Sequence, residues 1–376
     1  MRIGIDGGSW SNKRGYGRFL RELAGALAKT DHGHQFVMFL DQAAAREFPS
    51  LTGFTVREVR IGQSVGDAAR HDGNRGPLDL LRMGLAVASE RLDVFCFPTV
   101  YSYFPLLRRV PTVVGIHDTI ADRNPQFAFA GAQQRMFWKA KLRLAIFQTD
   151  LVFTVSNYSR QCLIDVHGLK RERIRVVPEA AAPQFQPPAT SDQREHFILY
   201  VGGVSPNKNL GTLIRALGML NEPCLLKIAG DYSSEGFRSC YEEVRALAAE
   251  EGLLEKVEFL GFVSDDELVR LYQRAAVFVL PSFDEGFGLP AIEAMASGAP
   301  VIVSEGNSLT EVVGDAGLAF RADNPKGLAA AINRVFSDLI LWHRLSDAGV
   351  RRAAEFSWAR SAALFIQVLE EASRLR

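Results

Sequence analysis

The chain has 376 residues and a mass of 41.5 kDa, with 47% hydrophobic and 23% charged residues and a mean hydropathy of +0.01. At roughly 150 residues per domain this predicts two domains, and the composition excludes disorder and a fibrous repeat. Lys+Arg and Asp+Glu both number 43, but residues 1–190 carry 25 basic against 17 acidic side chains (net +8) and residues 191–376 carry 18 against 26 (net −8). A basic half attracts anionic headgroups or phosphate-bearing substrates, or is simply a solvated face.

No uninterrupted apolar run approaches the ~18 residues of a membrane span. The chain enters a strand at Arg2 with no apolar leader segment, so a cytoplasmic location is expected. The cysteines Cys96, Cys162, Cys224 and Cys240 lie far apart without a C-x-x-C pair, which argues against a thiolate zinc site, a disulfide scaffold and redox chemistry.

Short apolar runs alternate with longer helical patterns, the mark of parallel sheets covered by helices. Strands are predicted near Arg2–Asp6, Gln35–Leu40, Asp93–Phe97, Thr112–Ile116, Leu151–Val155 and Ile174–Val177. The segment from Gly62 to Pro77, glycine-containing and of mixed charge, reads as a mobile surface loop. A proline-rich stretch from Pro178 to Ser191 reads as a linker. A second series follows at Phe197–Val201, Leu225–Ala229, Val257–Leu260, Val277–Leu280 and Val301–Val303, and residues 359–376 form an apolar-striped helix pattern. The expected fold is α/β, with two doubly wound Rossmann-like domains facing an interdomain cleft, where ligands gather at the carboxyl ends of the strands. Domains are expected at residues 1–180 and 197–355, with a linker at 181–196 and a terminal helix at 356–376.

Taken in order, the first loop runs from Asp6 to Arg18 and is not a G-x-G-x-x-G fingerprint, because Gly7 and Gly8 are adjacent and Gly15 and Gly17 fall at the wrong spacing. Gly115-Ile116-His117-Asp118 ends a strand at its carboxyl edge. The segment 134–144 sets Arg135, Lys139 and Arg143 at helical spacing among bulky apolar residues. Either it rests on an anionic membrane or it is an ordinary helix packed on a sheet.

In the second half Lys208, within Ser205-Pro206-Asn207-Lys208-Asn209, follows a strand and supplies a cation suited to a diphosphate. Past the strand near residue 280, Glu285-Gly286-Phe287-Gly288-Leu289-Pro290 leads into a short helix that Gly298 ends. Two glycines and exposed N–H groups at the helix start suit a phosphate. Glu285 and Glu293 beside it suit sugar or ribose hydroxyls, or else are a solvated loop charge and a first-turn helix charge.

Glu285, seven residues and Glu293, within E-G-F-G-L-P-A-I-E-A-M-A-S-G, resemble the E-x7-E motif of family 4 retaining glycosyltransferases of the GT-B fold. The resemblance covers nearly the whole chain. It implies that Glu285 contacts donor-sugar hydroxyls and Glu293 the ribose, while Gly286, Phe287, Gly288 and Leu289 contact sugar and phosphate through the backbone. It implies Lys208 on the diphosphate, and a departure at Gly203, where many members carry Arg. It places Phe262 and Val263 beside the nucleobase, and Gly15 and Gly17 in a loop over the donor phosphates. It sets His117 against the sugar, helping to stabilise positive charge at the anomeric carbon, with Asp118 facing the acceptor or bracing His117. The terminal helix is expected to cross back onto the first domain.

The activity so implied is metal-independent hexose transfer with retained configuration, needing no cofactor beyond a nucleotide-diphosphate sugar of the GDP-mannose or UDP-glucose class, with mannose favoured. The acceptor is a glycan or a lipid-linked saccharide of surface polysaccharide or lipopolysaccharide synthesis. Peripheral contact at the inner face of the membrane is a further expectation, and nucleic acid is not an expected partner. A nucleotide-sugar epimerase or hydrolase of the same architecture is the alternative.

Overall fold

The computed structural model describes residues 1–12, 15–62, 76–129, 131–189, 194–232 and 239–375. Most of the segment from Gly62 to Pro77, two residues of the first loop and residues 190–193 of the expected linker lie outside the described residues. The chain divides into two compact units, Met1–Glu179 with Trp358–Arg376, and Ala180–Ser357.

In the first unit, strands β1 (Arg2–Asp6), β2 (Gln35–Leu40), β3 (Phe54–Glu58), β4 (Val94–Phe97), β5 (Thr112–Gly115), β6 (Leu151–Thr154) and β7 (Ile174–Val176) form a parallel sheet in the order β3-β2-β1-β4-β5-β6-β7. In the second, β8 (Glu195–Val201), β9 (Leu225–Ala229), β10 (Val257–Gly261), β11 (Ala275–Leu280), β12 (Val301–Ser304) and β13 (Leu318–Phe320) form another in the order β10-β9-β8-β11-β12-β13. Strand order reverses between β1 and β4 in one sheet and between β8 and β11 in the other, and an open α/β sheet offers a crevice at such a point.

Sheets covered on both faces need strands apolar on both sides. Accordingly β4, β5, β6, β11 and β12 are buried along their whole length. Two strands went unpredicted, β3 and β13, and both are sheet edges. β3 exposes Thr55 to Glu58, and β13 has three residues, so neither carries the continuous apolar run that marks a central strand.

Five helices matter below: α1 (Gly15–Leu27), α2 (Ala132–Gln148), α3 (Leu210–Leu217), α4 (Leu289–Ala296) and α5 (Trp358–Arg374). Helix α1 buries Phe19, Leu20, Leu23, Ala24 and Leu27 at helical spacing. Helix α5 packs within the first unit, with Phe365 on Phe153 at 5.5 Å between ring centroids and Trp358 on Phe19 at 5.7 Å. Its Ser361 hydroxyl donates to the Pro178 carbonyl at 2.6 Å, and Glu371 pairs with Arg175.

Candidate active site

In the second unit the loops leaving β8 and β11, neighbours at the reversal of strand order, carry Lys208 and Glu285. Their side chains meet, with Lys208 Nζ 2.6 Å from Glu285 Oε1. The same oxygen accepts from the Ser282 hydroxyl at 2.6 Å.

The P-N-K-N sequence explains the meeting. Asn207 donates through Nδ2 to the Asp284 carbonyl at 2.7 Å, and the Phe283 N–H donates to the Asn207 carbonyl at 2.9 Å. Asn209, at φ 55°, donates through Nδ2 to the carbonyls of Pro281 and Ala322 at 2.9 and 2.8 Å, and its Oδ1 accepts from Thr212 in α3 at 2.9 Å. Asn tolerates this left-handed backbone better than most residues with a Cβ. The asparagines therefore tie one loop to the other and leave the lysine between them to reach the carboxylate.

From the far side Ser308 donates to the Glu285 carbonyl at 2.8 Å, and Asn307 to the Ser282 carbonyl at 3.2 Å. Glu285 is only 8% exposed, so Lys208 and the Ser282 hydroxyl stand where water would otherwise meet its carboxylate. Tyr200, buried behind the pair, has its hydroxyl pushed well above its ordinary range, by burial first and by the Glu285 charge second. It donates to the Gly203 carbonyl at 2.8 Å, and Gly203 itself is exposed.

Gly286 to Leu289 form a buried turn into α4. Gly288 sits at φ 99°, and a Cβ there would lie 2.2 Å from Leu309, so this position needs glycine for backbone and packing reasons apart from any ligand. Glu293, in the second turn of α4, is buried and accepts from the Tyr272 hydroxyl at 3.2 Å. Phe262 and Val263 follow β10, with Phe262 61% exposed. Tyr232, 3.6 Å from where a Cβ on Gly261 would lie, stacks on Tyr241 with ring centroids 4.6 Å apart.

In the first unit His117 follows β5 and is buried. Its Nε2 lies 2.9 Å from the Pro98 carbonyl, and its Nδ1 lies 3.6 Å from Glu179 Oε1. Asp118 accepts from the Tyr16 hydroxyl at 2.9 Å and from the Ile120 N–H at 3.0 Å. Tyr16 thus joins the start of α1 to the loop after β5. Its hydroxyl, and that of neighbouring Tyr101, are held above the ordinary phenol range, mainly by burial and then by the Asp118 charge.

Gly15 is exposed with open space around it. Gly17 is buried, and a Cβ there would lie 1.8 Å from the Asn12 carbonyl oxygen, so α1 approaches the first loop only because this residue is glycine. Arg21 closes the same loop by donating to the carbonyls of Trp10 and Asn12 at 2.6 and 2.9 Å.

Sequence reasoning missed Asn207, Asn209, Ser282, Asn307, Ser308, Tyr16 and Glu179. The two asparagines flanking Lys208 were the legible signal, since side-chain amides beside a loop cation are cross-bracing groups. Glu179 gave none, because its partner is 62 residues away in sequence.

Comparison with known proteins follows the same division. A family model described as "Glycosyl transferases group 1" matches residues 183–352, and one described as "Glycosyltransferase Family 4" matches residues 13–184. The O-antigen chain mannosyltransferase B of Escherichia coli is 32% identical over 289 residues, 74% of this chain and 74% of that protein. The MMP alpha-(1->4)-mannosyltransferase of Mycolicibacterium hassiacum is 32% identical over 338 residues, 86% of this chain and 76% of that protein. Other similar proteins are longer, and the chain spans 33% of the serotype-specific mannosyltransferase WbdA of Escherichia coli. Among solved structures, HepE of Anabaena in complex with UDP and glucose superposes with a TM-score of 0.75 at 18% identity, covering 99% of this chain and 100% of that one.

Proposed function

Because this chain belongs to the group 1 glycosyltransferases of family 4, we propose that it transfers a hexose, mannose before glucose, from a nucleotide-diphosphate sugar to a glycan or lipid-linked saccharide in surface polysaccharide synthesis. The preference for mannose is supported by the mannosyltransferase B of Escherichia coli and the MMP alpha-(1->4)-mannosyltransferase of Mycolicibacterium hassiacum, of each of which the chain covers about three quarters.

The observation that carries the reading is the 2.6 Å Lys208–Glu285 pair at the reversal point of the second sheet. The cation and the acid neutralise each other before donor binds. When donor binds, Lys208 turns to the diphosphate and Glu285 accepts hydroxyls of the sugar, so each buried charge exchanges one partner for another. Glu293 is proposed to receive the ribose, and the amides of Gly286 to Leu289 the phosphate and sugar. Phe262 and Val263 border the base, with Gly15, Gly17 and Gly203 approached by the donor through their backbones.

In the proposed step the bond from the anomeric carbon to the diphosphate oxygen breaks while the acceptor oxygen bonds to the same face of that carbon. The acceptor proton passes to the departing phosphate. No side chain becomes a nucleophile, since both motif glutamates are engaged with hydroxyls. Lys208 and the backbone amides stabilise the charge on the leaving group, and catalysis is positioning and electrostatics. Transfer is proposed to be independent of metal, with unchanged rate in EDTA as the check. His117 is proposed to orient the transferred sugar, and Asp118 to hold the loop that carries it.

Glu285→Ala and Lys208→Ala are each expected to lower transfer from GDP-mannose or UDP-glucose by at least about tenfold while the protein stays folded. Wild-type turnover in both variants would refute the site.

The acceptor is proposed to be met at the inner face of the membrane through α2. Among the described residues no helix is long and apolar enough to cross a membrane. Helix α2 instead contains Arg135, Lys139, Lys141 and Arg143 and no acidic residue, buries only Leu142 and Ala145, and leaves Met136, Phe137 and Phe147 exposed, Phe147 at 84%. A groove of about 640 Å³ runs along its basic face past Arg135, Lys139 and Arg143. Cations beside exposed apolar rings complement an anionic bilayer. Co-sedimentation with vesicles containing anionic phospholipid, lost on replacing those three residues by Glu, is expected. Protein left wholly in solution would refute docking.

A further inference from the structure

His117 and Glu179 are both buried, and their side-chain polar contacts are few enough to assign a proton. The Pro98 carbonyl can only accept, so His117 Nε2, 2.9 Å away, bears a hydrogen. In a neutral ring the other nitrogen then carries a lone pair, and what faces it at 3.6 Å is the Glu179 carboxylate. Two acceptors turned toward each other away from water are repulsive. The ring is walled by Phe19 at 4.7 Å, Tyr16 at 5.2 Å and Phe153 at 5.9 Å between centroids. Among the described residues, the titratable neighbours are Tyr16, edge-on to the ring with Tyr101 packed on it in turn, and Asp118, whose carboxylate already accepts from Tyr16 and Ile120.

Glu179 is rigidly placed. The Val177 N–H donates to the Thr154 carbonyl at 2.8 Å, and the Pro178 carbonyl accepts from Ser361 of α5 at 2.6 Å, fixing the two residues before it. Its side chain has His117 as its ionic partner among the described residues.

We propose that Glu179 is the positioning residue for His117: a proton on Nδ1 is held against its carboxylate, so both ring N–H bonds point into the first unit and the imidazole cannot turn. The pair has no net charge. What it offers the transferred sugar is therefore a ring edge of fixed orientation, and this rests on the reading that His117 adjoins that sugar.

The test combines spectroscopy and kinetics on the full chain. With ¹⁵N-labelled histidine, and the His117 resonances assigned by their loss in His117→Ala, the wild type at neutral pH is expected to show both ring nitrogens protonated. Glu179→Gln, whose amide can donate to the bare Nδ1, is expected to show Nδ1 unprotonated. It should lose about threefold in kcat, and Glu179→Ala, which leaves the ring free, at least about tenfold with little change in donor KM. A purely structural role would lower thermal stability in both variants without separating them in kcat.

An unprotonated Nδ1 in the wild type, or equal kcat for the Gln and Ala variants, overturns the proposal. Full activity of His117→Ala would instead remove the sugar-orienting reading and leave the proton assignment standing.

Discussion

Beyond the carboxyl ends of β8 and β11 the Lys208–Glu285 pair is held by amide and hydroxyl side chains on loops that neighbour it in sequence or lie one strand away. Beyond the carboxyl end of β5 in the first sheet a histidine and a carboxylate, His117 and Glu179, meet among aromatic rings, with Tyr16, Phe19 and the Pro98 carbonyl around the imidazole. The difference is one of partners and of dielectric. The second site meets nearly every charge with a hydrogen bond, and the first relies on burial and on a few close contacts, which hold the Tyr16 and Tyr101 hydroxyls above the ordinary phenol range. Each region can be broken in its own way.

The largest effect is expected at Asn209, which carries two carbonyl contacts and a left-handed backbone. Asn209→Ala leaves the Pro281 and Ala322 carbonyls without this donor and puts an alanine at φ 55°, and a loss of about 3 kcal/mol in urea unfolding is expected. Asn209→Gly restores the backbone freedom and not the amide, so it should fall between wild type and Ala. Equal stability of all three would mean that the loops are tied by something else.

The aromatic first site should show itself in alkali. Tyr16 and Tyr101 are held neutral in the folded chain above the ordinary pKa of 10.0. Unfolding frees them to ionise near that value, so the unfolded chain binds fewer protons at high pH and stability falls as pH rises past about 10. The contribution is intact below that pH. Tyr200 of the second unit adds to the same slope, again chiefly through burial. Each tyrosine that titrates only on unfolding costs about 1.4 kcal/mol per pH unit there. Tyr16→Phe should flatten the decline between pH 10 and 11, as followed by thermal melting, and an unchanged slope would show that Tyr16 ionises freely in the folded protein.

The same contrast governs what could be read from the sequence. The central strands were legible because both faces are buried and the apolar runs are unbroken, as in Val94–Phe97 and Ala275–Leu280. The edge strands β3 and β13 were not, because an edge keeps one flank exposed and can be short. Glu285, Glu293 and Lys208 were legible because they sit in compact motifs next to strand ends. His117 was visible at a strand end too, but Glu179 was not: a carboxylate after a proline looks like linker until the fold brings it to the imidazole. Gly17 and Gly288 were singled out for approach to a ligand, and the structure gives each a packing reason as well, a carbonyl at 1.8 Å and a leucine at 2.2 Å from the missing Cβ.

The smallest effect is expected where charge is neither buried nor braced. Arg175 and Glu371 join β7 to α5 in a two-point contact, with side chains 33% and 39% exposed. Water screens such a pair, and fixing two long side chains costs entropy that offsets much of the attraction. Arg175 also donates to the Glu172 carbonyl at 2.8 Å, so its loss removes more than the ion pair. Glu371→Gln is the cleaner probe, since it keeps an acceptor for the guanidinium and removes only the charge. It should shift stability by less than about 1 kcal/mol, and by less still in high salt, where surface attraction is screened. A salt-independent loss above that size would mean that the terminal helix is held to the first sheet by charge, and not by Phe365, Trp358 and the Ser361 hydroxyl.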